Sequence, residues 1–375
     1  MAGIYIHIPF CRQACSYCNF HFTTSLSHKN EFIAALLKEI DIQQNYLNGE
    51  VVDTVYFGGG TPSLFSGEVV ESIVKKIRET FSLGGDAELT IEANPDDISE
   101  ELLSEWVKAG FNRLSLGIQS FFDADLQWMN RAHNARQAKE SLKLARRFFE
   151  NMTADLIYGT PALSDENWKY NVDQMVEAGI PHISCYALTI EPKTPLQKLI
   201  RLGKAEDVNP DRQSEQFLLL MQWLEENDYE HYEISNFAKP GFRSRHNSSY
   251  WQGKQYLGLG PSAHSFDGSS RQWNVSNNNI YITSLQKDIL PFEKETLTIN
   301  QQLNEYIMTS LRTMEGLNLV NIENKFGKRS SENILATSKQ FISGNKMTYT
   351  PDDRLVLTKE GKLLADGIAS ELFII

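Results

Sequence analysis

The chain is poor in cysteine, poor in positive charge and free of long apolar runs. Its 375 residues contain four cysteines, and 36 lysines and arginines are outnumbered by 48 acidic residues, for a net charge of −12. This deficit disfavours proteins that coat a nucleic-acid backbone, because phosphate neutralisation needs clustered Lys and Arg. No run of about eighteen apolar residues could span a membrane, and the N-terminus lacks a basic region or an Arg-rich transit pattern. We therefore expect a soluble, cytoplasmic protein that does not bind nucleic acid.

The cysteines are too few and too unevenly placed for a disulfide framework. Cys11, Cys15 and Cys18 fall within eight residues, whereas Cys185 is distant. In a reducing cytosol such crowding favours metal binding over disulfides. A lone, distant cysteine is typical of the protein interior, so Cys185 is predicted to be a buried small hydrophobe.

Two metal centres are compatible with the C-x3-C-x2-C spacing. Zinc would need a fourth ligand, for which His7 and His21 are the nearby candidates. Structural zinc sites usually have two separated ligand pairs, however, and this chain has one run of three. An iron–sulfur cubane held by three thiolates has one iron without a protein ligand, and such an open iron can bind a reactant. The spacing favours the cluster over zinc.

The first 200 residues alternate β-rich runs with helical patterns. Ser99 and Ser164 are predicted helix N-caps, and Gly110 and Gly179 are predicted at helix C-termini. This alternation implies parallel strands with right-handed crossovers, in an α/β fold that is either an open doubly wound sheet or an incomplete barrel. The predicted strands begin at Gly3, Val52, Ala87, Asn112, Thr153 and His182.

The pattern changes after about residue 200. A helix is predicted from Asp211, and the segment that follows is dense in Gly, Ser, Asn and aromatic residues. Aromatic content favours an ordered, functional segment over a linker. We divide the chain into an α/β unit at 1–235, a loop-rich connector at 236–297 and a small C-terminal α+β domain at 298–375.

Three features after the predicted strands could contact a ligand. The GGGTPS run from Gly58 would allow close approach of backbone to a ligand, although a tight turn alone could also explain it. Glu92 could be a solvated loop carboxylate or could accept hydrogen bonds from an amine or a ribose. Asp155 has the stronger case, since a carboxylate within an apolar strand is costly unless it is paired.

With these motifs in matching order from Tyr5 to Asp155, the sequence resembles the radical S-adenosylmethionine (SAM) proteins. Their signature is C-x3-C-x2-C with an aromatic residue, here Tyr17, before the third cysteine. The resemblance implies a partial (β/α)6 barrel and a 4Fe-4S cluster whose open iron binds SAM. It assigns the cluster to Cys11, Cys15 and Cys18. The residues that match SAM-binding positions are Tyr5, Tyr17, Gly59, Gly60, Thr61, Glu92, Gln119, Arg131 and Asp155.

Three motifs resemble one branch of that superfamily, and two local features distinguish the members of that branch. YIHIPFC, GGGTPS and GIQSF together resemble the branch that contains oxygen-independent coproporphyrinogen III oxidase (HemN) and the haem chaperones called HemW. The oxidase has a further cysteine two residues after the third, where this chain has Phe20. The run HNSSYW from His246 matches the HNxxYW motif of the haem chaperones. Both features favour the chaperones.

The HNSSYW motif can be interpreted chemically in two ways. His246 could ligate haem iron while Tyr250 and Trp251 provide flat surface for the porphyrin. From chemistry alone, the favoured interpretation is a loop with a capping Asn and two aromatic residues in the core. The family resemblance instead favours the haem-binding interpretation. Arg243 and Arg245 could pair with haem propionates or simply be solvated.

The resemblance implies a haem chaperone that uses a SAM-ligated cluster and delivers haem to haem proteins of the respiratory chain. The alternative is an enzyme of porphyrin biosynthesis that oxidatively decarboxylates coproporphyrinogen III, an activity we expect to be absent. The implied partners are haem-accepting proteins and an electron donor, while peripheral membrane association and a homodimer are left open.

Overall fold

The computed structural model of the chain describes residues 2–374. Its first half alternates strands and helices as the sequence predicts. In chain order the elements of this half are β1 (Ala2–Ile8), α1 (Lys29–Ile42), β2 (Val52–Gly59), α2 (Gly67–Thr80), β3 (Leu83–Ala93), α3 (Glu100–Ala109), β4 (Arg113–Gln119), α4 (Asp123–Trp128), α5 (Ala135–Ala145), β5 (Met152–Tyr158), α6 (Asp165–Glu177), β6 (His182–Ala187), α7 (Pro195–Arg201) and α8 (Pro210–Glu225).

The second half has shorter elements. These are β7 (Glu230–Glu233), β8 (Asn236–Ala238), α9 (Arg245–Trp251), β9 (Tyr256–Leu259), β10 (His264–Phe266), β11 (Ser270–Asn274), α10 (Asn278–Leu285), β12 (Phe292–Thr296), α11 (Ile299–Leu311), β13 (Leu317–Asn318), α12 (Leu319–Phe326), α13 (Lys328–Ser343), β14 (Met347–Tyr349), β15 (Arg354–Leu357), α14 (Lys359–Lys362) and α15 (Ala365–Glu371). No helix within residues 2–374 is both long enough and apolar enough to cross a membrane.

Strands β1 to β6 lie side by side and parallel in one sheet. In the described residues β1 does not close onto β6, because β9 pairs with the free edge of β1 and β8 with that of β6. The confirmed fold is therefore a partial (β/α)6 barrel. Burial along β1 is nearly continuous, as expected for a parallel strand covered on both faces.

The predicted helix ends are confirmed. The Ser99 hydroxyl accepts a hydrogen bond from the backbone N–H of Leu102 at 3.2 Å, and Ser164 caps α6 in the same way. Gly110 has φ +96° and Gly179 φ +64°, values in the left-handed region that favours glycine after a helix. The serines thus mark the starts of α3 and α6, and the glycines precede β4 and β6.

Segment 236–297 is more regular than its composition suggested. It forms β8, which pairs with β6, the strands β9 to β12, which extend the barrel sheet beyond β1, and the helices α9 and α10. Its strands are only three to five residues long and are separated by polar turns, so they leave no periodic signal in the sequence. The residues after 298 have their own hydrophobic core and a small sheet in the order β13-β15-β14.

Candidate functional site

The loop after β1 carries the clustered cysteines to the carboxyl-end rim of the barrel. Backbone bonds fix this loop to its neighbours: Gly60 N–H donates to the Ile8 carbonyl at 2.7 Å, and Thr61 N–H donates to the Phe10 carbonyl at 2.7 Å. Cys11, Cys15 and Cys18 are free thiols and line one cavity of about 450 Å³. We call this the rim cavity.

The glycines of GGGTPS serve both the loop and the cavity. Gly59 has φ +102°, and a Cβ there would lie 2.6 Å from the His7 ring. A Cβ on Gly60 would lie 2.5 Å from the Phe10 carbonyl oxygen. The close approach is therefore between this turn and the neighbouring β1 and cysteine loop. Gly59, Gly60 and Thr61 nevertheless line the rim cavity, and their contact with a ligand stays a prediction.

The donor set fits a multi-iron cluster better than zinc. Among the described residues, no three Cys, His, Asp or Glu side chains converge as ligands of a single metal ion. In a cubane each thiolate binds a different iron, so such convergence is not required. The two candidate fourth zinc ligands are engaged elsewhere, since His7 Nε2 lies 2.8 Å from the His21 carbonyl and His21 Nε2 lies 2.7 Å from Asn278 Oδ1. Burial raises the pKa of Cys11 to about 11, so binding of a metal must displace its proton.

Two half-buried carboxyl groups, those of Glu92 and Asp155, line the rim cavity. Tyr56 Oη donates to Glu92 Oε1 at 2.7 Å. Burial raises the pKa of Glu92 to about 7 and that of Asp155 to about 6. Arg113 and Arg131 oppose the rise at Asp155, but only in part. A cationic ligand in this cavity would stabilise both carboxylates in their charged form.

Arg131 connects the cysteine loop to the barrel. One guanidinium nitrogen lies 3.3 Å from Cys15 Sγ and 3.5 Å from Tyr17 Oη, and the other donates to Asn94 Oδ1 at 2.6 Å. Gln119 also lines the cavity, with φ +67°, a left-handed conformation that is uncommon for a residue other than glycine. Such strain at a cavity wall is typical of functional positions.

Tyr5 lies apart from the other predicted SAM residues. Its hydroxyl is 3.1 Å from His7 Nδ1, and its ring lies over that of Tyr56 at 6.2 Å. It is absent from the residues that line the rim cavity. Tyr5 lies in the middle of β1, and its contact with SAM stays a prediction.

HNSSYW lies at the opposite end of the barrel from the cysteines. It forms α9, and His246 packs against Gly3 and Thr54, near the beginnings of β1 and β2. The imidazole is buried, with Nδ1 2.8 Å from Thr54 Oγ1 and Nε2 2.8 Å from Tyr250 Oη. Burial lowers the pKa of His246 to about 3. Both ring nitrogens thus have hydrogen-bond partners within the chain, and a role of His246 in binding haem stays a prediction.

The remaining haem candidates differ from one another. Tyr250 and Trp251 line a second cavity of about 740 Å³. Arg243, by contrast, is paired with Glu230 and Glu315, and Arg245 with Asp86. The two arginines thus have partners within the chain. Cys185 is buried in the main core, in agreement with its prediction.

Two residues of the rim cavity region were missed by sequence reasoning. Asn94 accepts a hydrogen bond from Arg131 and donates to Thr61 Oγ1 at 3.1 Å, and Tyr56 holds Glu92. Asn94 follows Glu92 by two residues at the end of β3, and Tyr56 precedes the glycine run at the end of β2. Polar residues at the carboxyl ends of parallel strands are the signal that could have identified them.

The chain has relatives along nearly its whole length. A family model described as the radical SAM superfamily matches residues 5–174. "Heme chaperone HemW" of Mycobacterium tuberculosis (strain ATCC 25618 / H37Rv) is 35% identical over 376 residues, covering 99% of this chain and 94% of the relative. The protein of that name in Bacillus subtilis (strain 168) is 31% identical over 372 residues, covering 98% of each.

A solved structure has the same fold. Coproporphyrinogen III oxidase (HemN) from Escherichia coli, a radical SAM enzyme, superposes with a TM-score of 0.86 at 23% identity, covering 99% of this chain and 90% of that one. At that identity the likeness shows the fold alone. The sequence relatives are closer, and the chain accordingly belongs to the HemW family of the radical SAM superfamily.

Proposed function

We propose that the protein is a haem chaperone that holds a 4Fe-4S cluster and SAM in the rim cavity, binds haem, and delivers haem to haem proteins of the respiratory chain. The observation that carries this proposal is the 35% identity, over 99% of the chain, to a protein named as a heme chaperone. Separate cavities for two ligands, about 450 and 740 Å³ in volume, support it.

In this proposal some residues of the rim cavity bind the cluster and others bind SAM. Cys11, Cys15 and Cys18 would hold the cluster, which supplies a one-electron reductant for SAM when bound. Glu92 and Asp155 would face the cationic part of SAM, where their negative charge stabilises it. Arg131 would fix the cysteine loop through Cys15 and Tyr17 and reach the barrel through Asn94. Gly60, Thr61 and Gln119 would contribute backbone and amide contacts from the cavity wall.

Coproporphyrinogen III oxidation is the second candidate, because the sequence motifs resemble the branch that contains this oxidase as well as the haem chaperones. Phe20 argues against it, because the oxidase motif has a cysteine at this position of the sequence. Phe20 is 65% exposed and lines the rim cavity, so a thiol is missing from that wall.

One anaerobic preparation tests both candidates. After reconstitution with iron and sulfide, haemin is titrated and followed by its Soret band, and the same sample is given coproporphyrinogen III, SAM and a reductant. We expect saturable haemin binding and no decarboxylation. Turnover of coproporphyrinogen III without saturable haemin binding would replace the chaperone with the oxidase.

A further inference from the structure

Tyr56 connects the barrel interior to the rim cavity. Its side chain lies near the end of β2 and is 9% exposed, and its hydroxyl donates to Glu92 Oε1 at 2.7 Å. Across the parallel strands Tyr56 pairs with Thr90, so Glu92 lies one pleat further along β3 and on the same face of the sheet. The long tyrosine side chain spans that pleat. A residue outside the lining of the rim cavity is thereby joined to one that lines it.

The first glycine of the GGGTPS run leaves the space that this pair occupies. A Cβ on Gly58 would lie 2.9 Å from Glu92 Oε1 and 2.9 Å from Tyr56 Cε1. A side chain at this position would therefore push the carboxyl group or the ring out of its place. Gly58 thus accommodates the pair, whereas Gly59 and Gly60 accommodate β1 and the cysteine loop.

Two neighbouring rings fix the orientation of Tyr56. The Tyr5 ring stacks on it with 6.2 Å between centroids and 29° between planes, and the His246 ring does so at 5.0 Å and 23°. Because these contacts already fix the phenol ring, its hydroxyl is preorganised for the hydrogen bond. The Glu92 carboxyl group, by contrast, is only half-buried and opens into the rim cavity. The rigid phenol therefore determines where the carboxyl group points.

We propose that Tyr56 is a positioning residue for SAM, whose hydroxyl holds the Glu92 carboxyl group towards the cationic part of that ligand. This inference rests on the proposed function and adds a residue that does not touch the ligand. Burial raises the pKa of Glu92 to about 7, and the hydrogen bond from Tyr56 opposes this rise because it stabilises the ionised form. The hydroxyl thereby also favours the charge that a cation needs at neutral pH.

The other ionisable groups around Glu92 determine where in the pH range this effect should appear. They are Tyr5 of β1, Cys18 of the cysteine loop, Asp155 of β5, Tyr186 of β6 and Tyr250 of α9. Burial raises the pKa of each of these tyrosines above its usual value, so all three are neutral near pH 7. Cys18 would be bound to the cluster. Asp155, with a pKa of about 6, ionises before Glu92 as the pH rises, so loss of the Tyr56 hydroxyl should change the upper part of the profile.

Tyr56→Phe tests the inference, because it removes the hydroxyl and keeps the stacked ring. Equilibrium dialysis of SAM against the reconstituted protein, without a reductant and from pH 5.5 to 9, should show about tenfold weaker binding at pH 7. The loss should shrink as the pH rises, since Glu92 without its donor still ionises, but at a higher pH. The midpoint of the profile should move up by about one pH unit. In a Glu92→Gln background the same change should have no further effect, because Tyr56 acts through that carboxylate.

Tyr281→Phe is the matched control. Tyr281 also donates to a buried carboxyl group, that of Glu39, whose pKa burial raises to about 7. This control should bind SAM with the wild-type affinity and profile. A Tyr56→Phe profile that superposes on the wild type, or a loss of equal size at every pH, would overturn the inference while keeping the proposed function. A full additional loss in the Glu92→Gln background would do the same. If the wild-type protein bound no SAM at any pH, or bound haemin without saturation, the proposed function itself would fail.

Discussion

At the scale of single residues, the buried His246 of the HNSSYW motif contacts distant parts of the chain. The imidazole sits between two hydroxyls, those of Thr54 and Tyr250, and its ring lies 5.0 Å from that of Tyr56. Tyr56 in turn donates to Glu92 at the rim cavity. The motif histidine thus belongs to a chain of contacts through the barrel interior, and it holds Tyr250, which lines the cavity of about 740 Å³.

Replacing His246 by Ala should destabilise the fold by about 2–4 kcal/mol, because two buried hydroxyls lose a partner and a cavity is left. Chemical denaturation of the unloaded protein measures this free energy. His264→Ala is the matched control, since His264 is exposed on β10, and should change it by less than about 0.5 kcal/mol. Equal stability of the two variants would contradict the structural role of His246.

The cysteines give a second residue-scale prediction. Changing Cys11, Cys15 and Cys18 together to Ala should abolish cluster assembly, whereas the wild type should bind about four irons per chain after anaerobic reconstitution. Iron analysis and electron paramagnetic resonance with and without SAM measure this. Cys185→Ala removes a thiol from the core and should retain the iron. Stoichiometric zinc without iron–sulfur absorbance in the wild type would disprove the cluster.

The raised pKa values of the Glu92 and Asp155 carboxyl groups predict how the affinity for SAM depends on pH. The pKa values of about 7 for Glu92 and about 6 for Asp155 mean that both groups take up protons as pH falls from 7.5 to 5.5. Because a cation prefers the ionised forms, SAM affinity should fall over that interval by about ten- to a hundredfold.

Equilibrium dialysis of the reconstituted protein at a series of pH values tests this dependence. Glu92→Gln should lower affinity at pH 7.5 by about ten- to a hundredfold and flatten the profile. Glu79→Gln, on the exposed face of α2, should reproduce the wild-type profile. The same steep profile in Glu92→Gln would remove Glu92 from SAM binding.

At the scale of elements, Glu39 attaches segment 236–297 to the barrel. This fully buried carboxyl group on α1 accepts hydrogen bonds from the Gly260 backbone N–H at 2.7 Å, from Asn274 at 2.6 Å and from the Tyr281 hydroxyl at 2.5 Å. The three donors follow β9, end β11 and lie on α10. One side chain thereby holds three short elements against the first helix.

Glu39→Ala should cost about 3–5 kcal/mol of unfolding free energy, because it leaves three buried donors without an acceptor. Chemical denaturation measures the change in the free energy of unfolding. Hydrogen exchange over residues 256–285 should rise more than exchange in β2 to β5, which lie away from the lost contact. Glu31→Ala, an exposed change on the same helix, should have little effect on either measurement. Uniform exchange across the sheet would contradict the attachment.

At the scale of the whole molecule, two hydrophobic cores meet at a buried ion pair. Glu233, 1% exposed at the end of β7, pairs at 3.1 Å with Arg312, which follows α11. Backbone bonds from Ile234 to the Arg312 carbonyl and from Met314 to the Tyr232 carbonyl connect the same two segments. This junction therefore connects the core of the barrel to the core of the C-terminal residues.

Arg312→Met should therefore destabilise the protein by about 2–4 kcal/mol, since it leaves the Glu233 carboxylate buried without its cation. Thermal unfolding followed by circular dichroism should broaden or separate into two steps as the regions uncouple. Arg354→Met, which breaks a more exposed pair with Asp352, is the control and should preserve a single transition. A single, unshifted transition in Arg312→Met would show that the junction does not couple the two cores.

The sequence by itself determined the alternation of helices with parallel strands and the position of the cysteine loop, and the family resemblance selected the partial barrel. Strand alternation, the serine caps and the glycine exits are local signals, and each is set by backbone chemistry within a few residues. The order of motifs along the chain identified the family and the rim residues, because the carboxyl ends of parallel strands must meet at one edge of the sheet.

Only the tertiary structure decided the surroundings of the HNSSYW motif. The sequence could not show that His246 is enclosed by Thr54, 192 residues away, or that Tyr250 faces Tyr306 across a cavity. Contacts between distant segments depend on the packing of the whole molecule. Short strands and isolated side chains leave no periodic pattern in the sequence from which such contacts could be predicted. The positions of the two cavities also depend on this packing. The cysteine loop follows the end of β1, whereas α9 packs against the beginnings of β1 and β2.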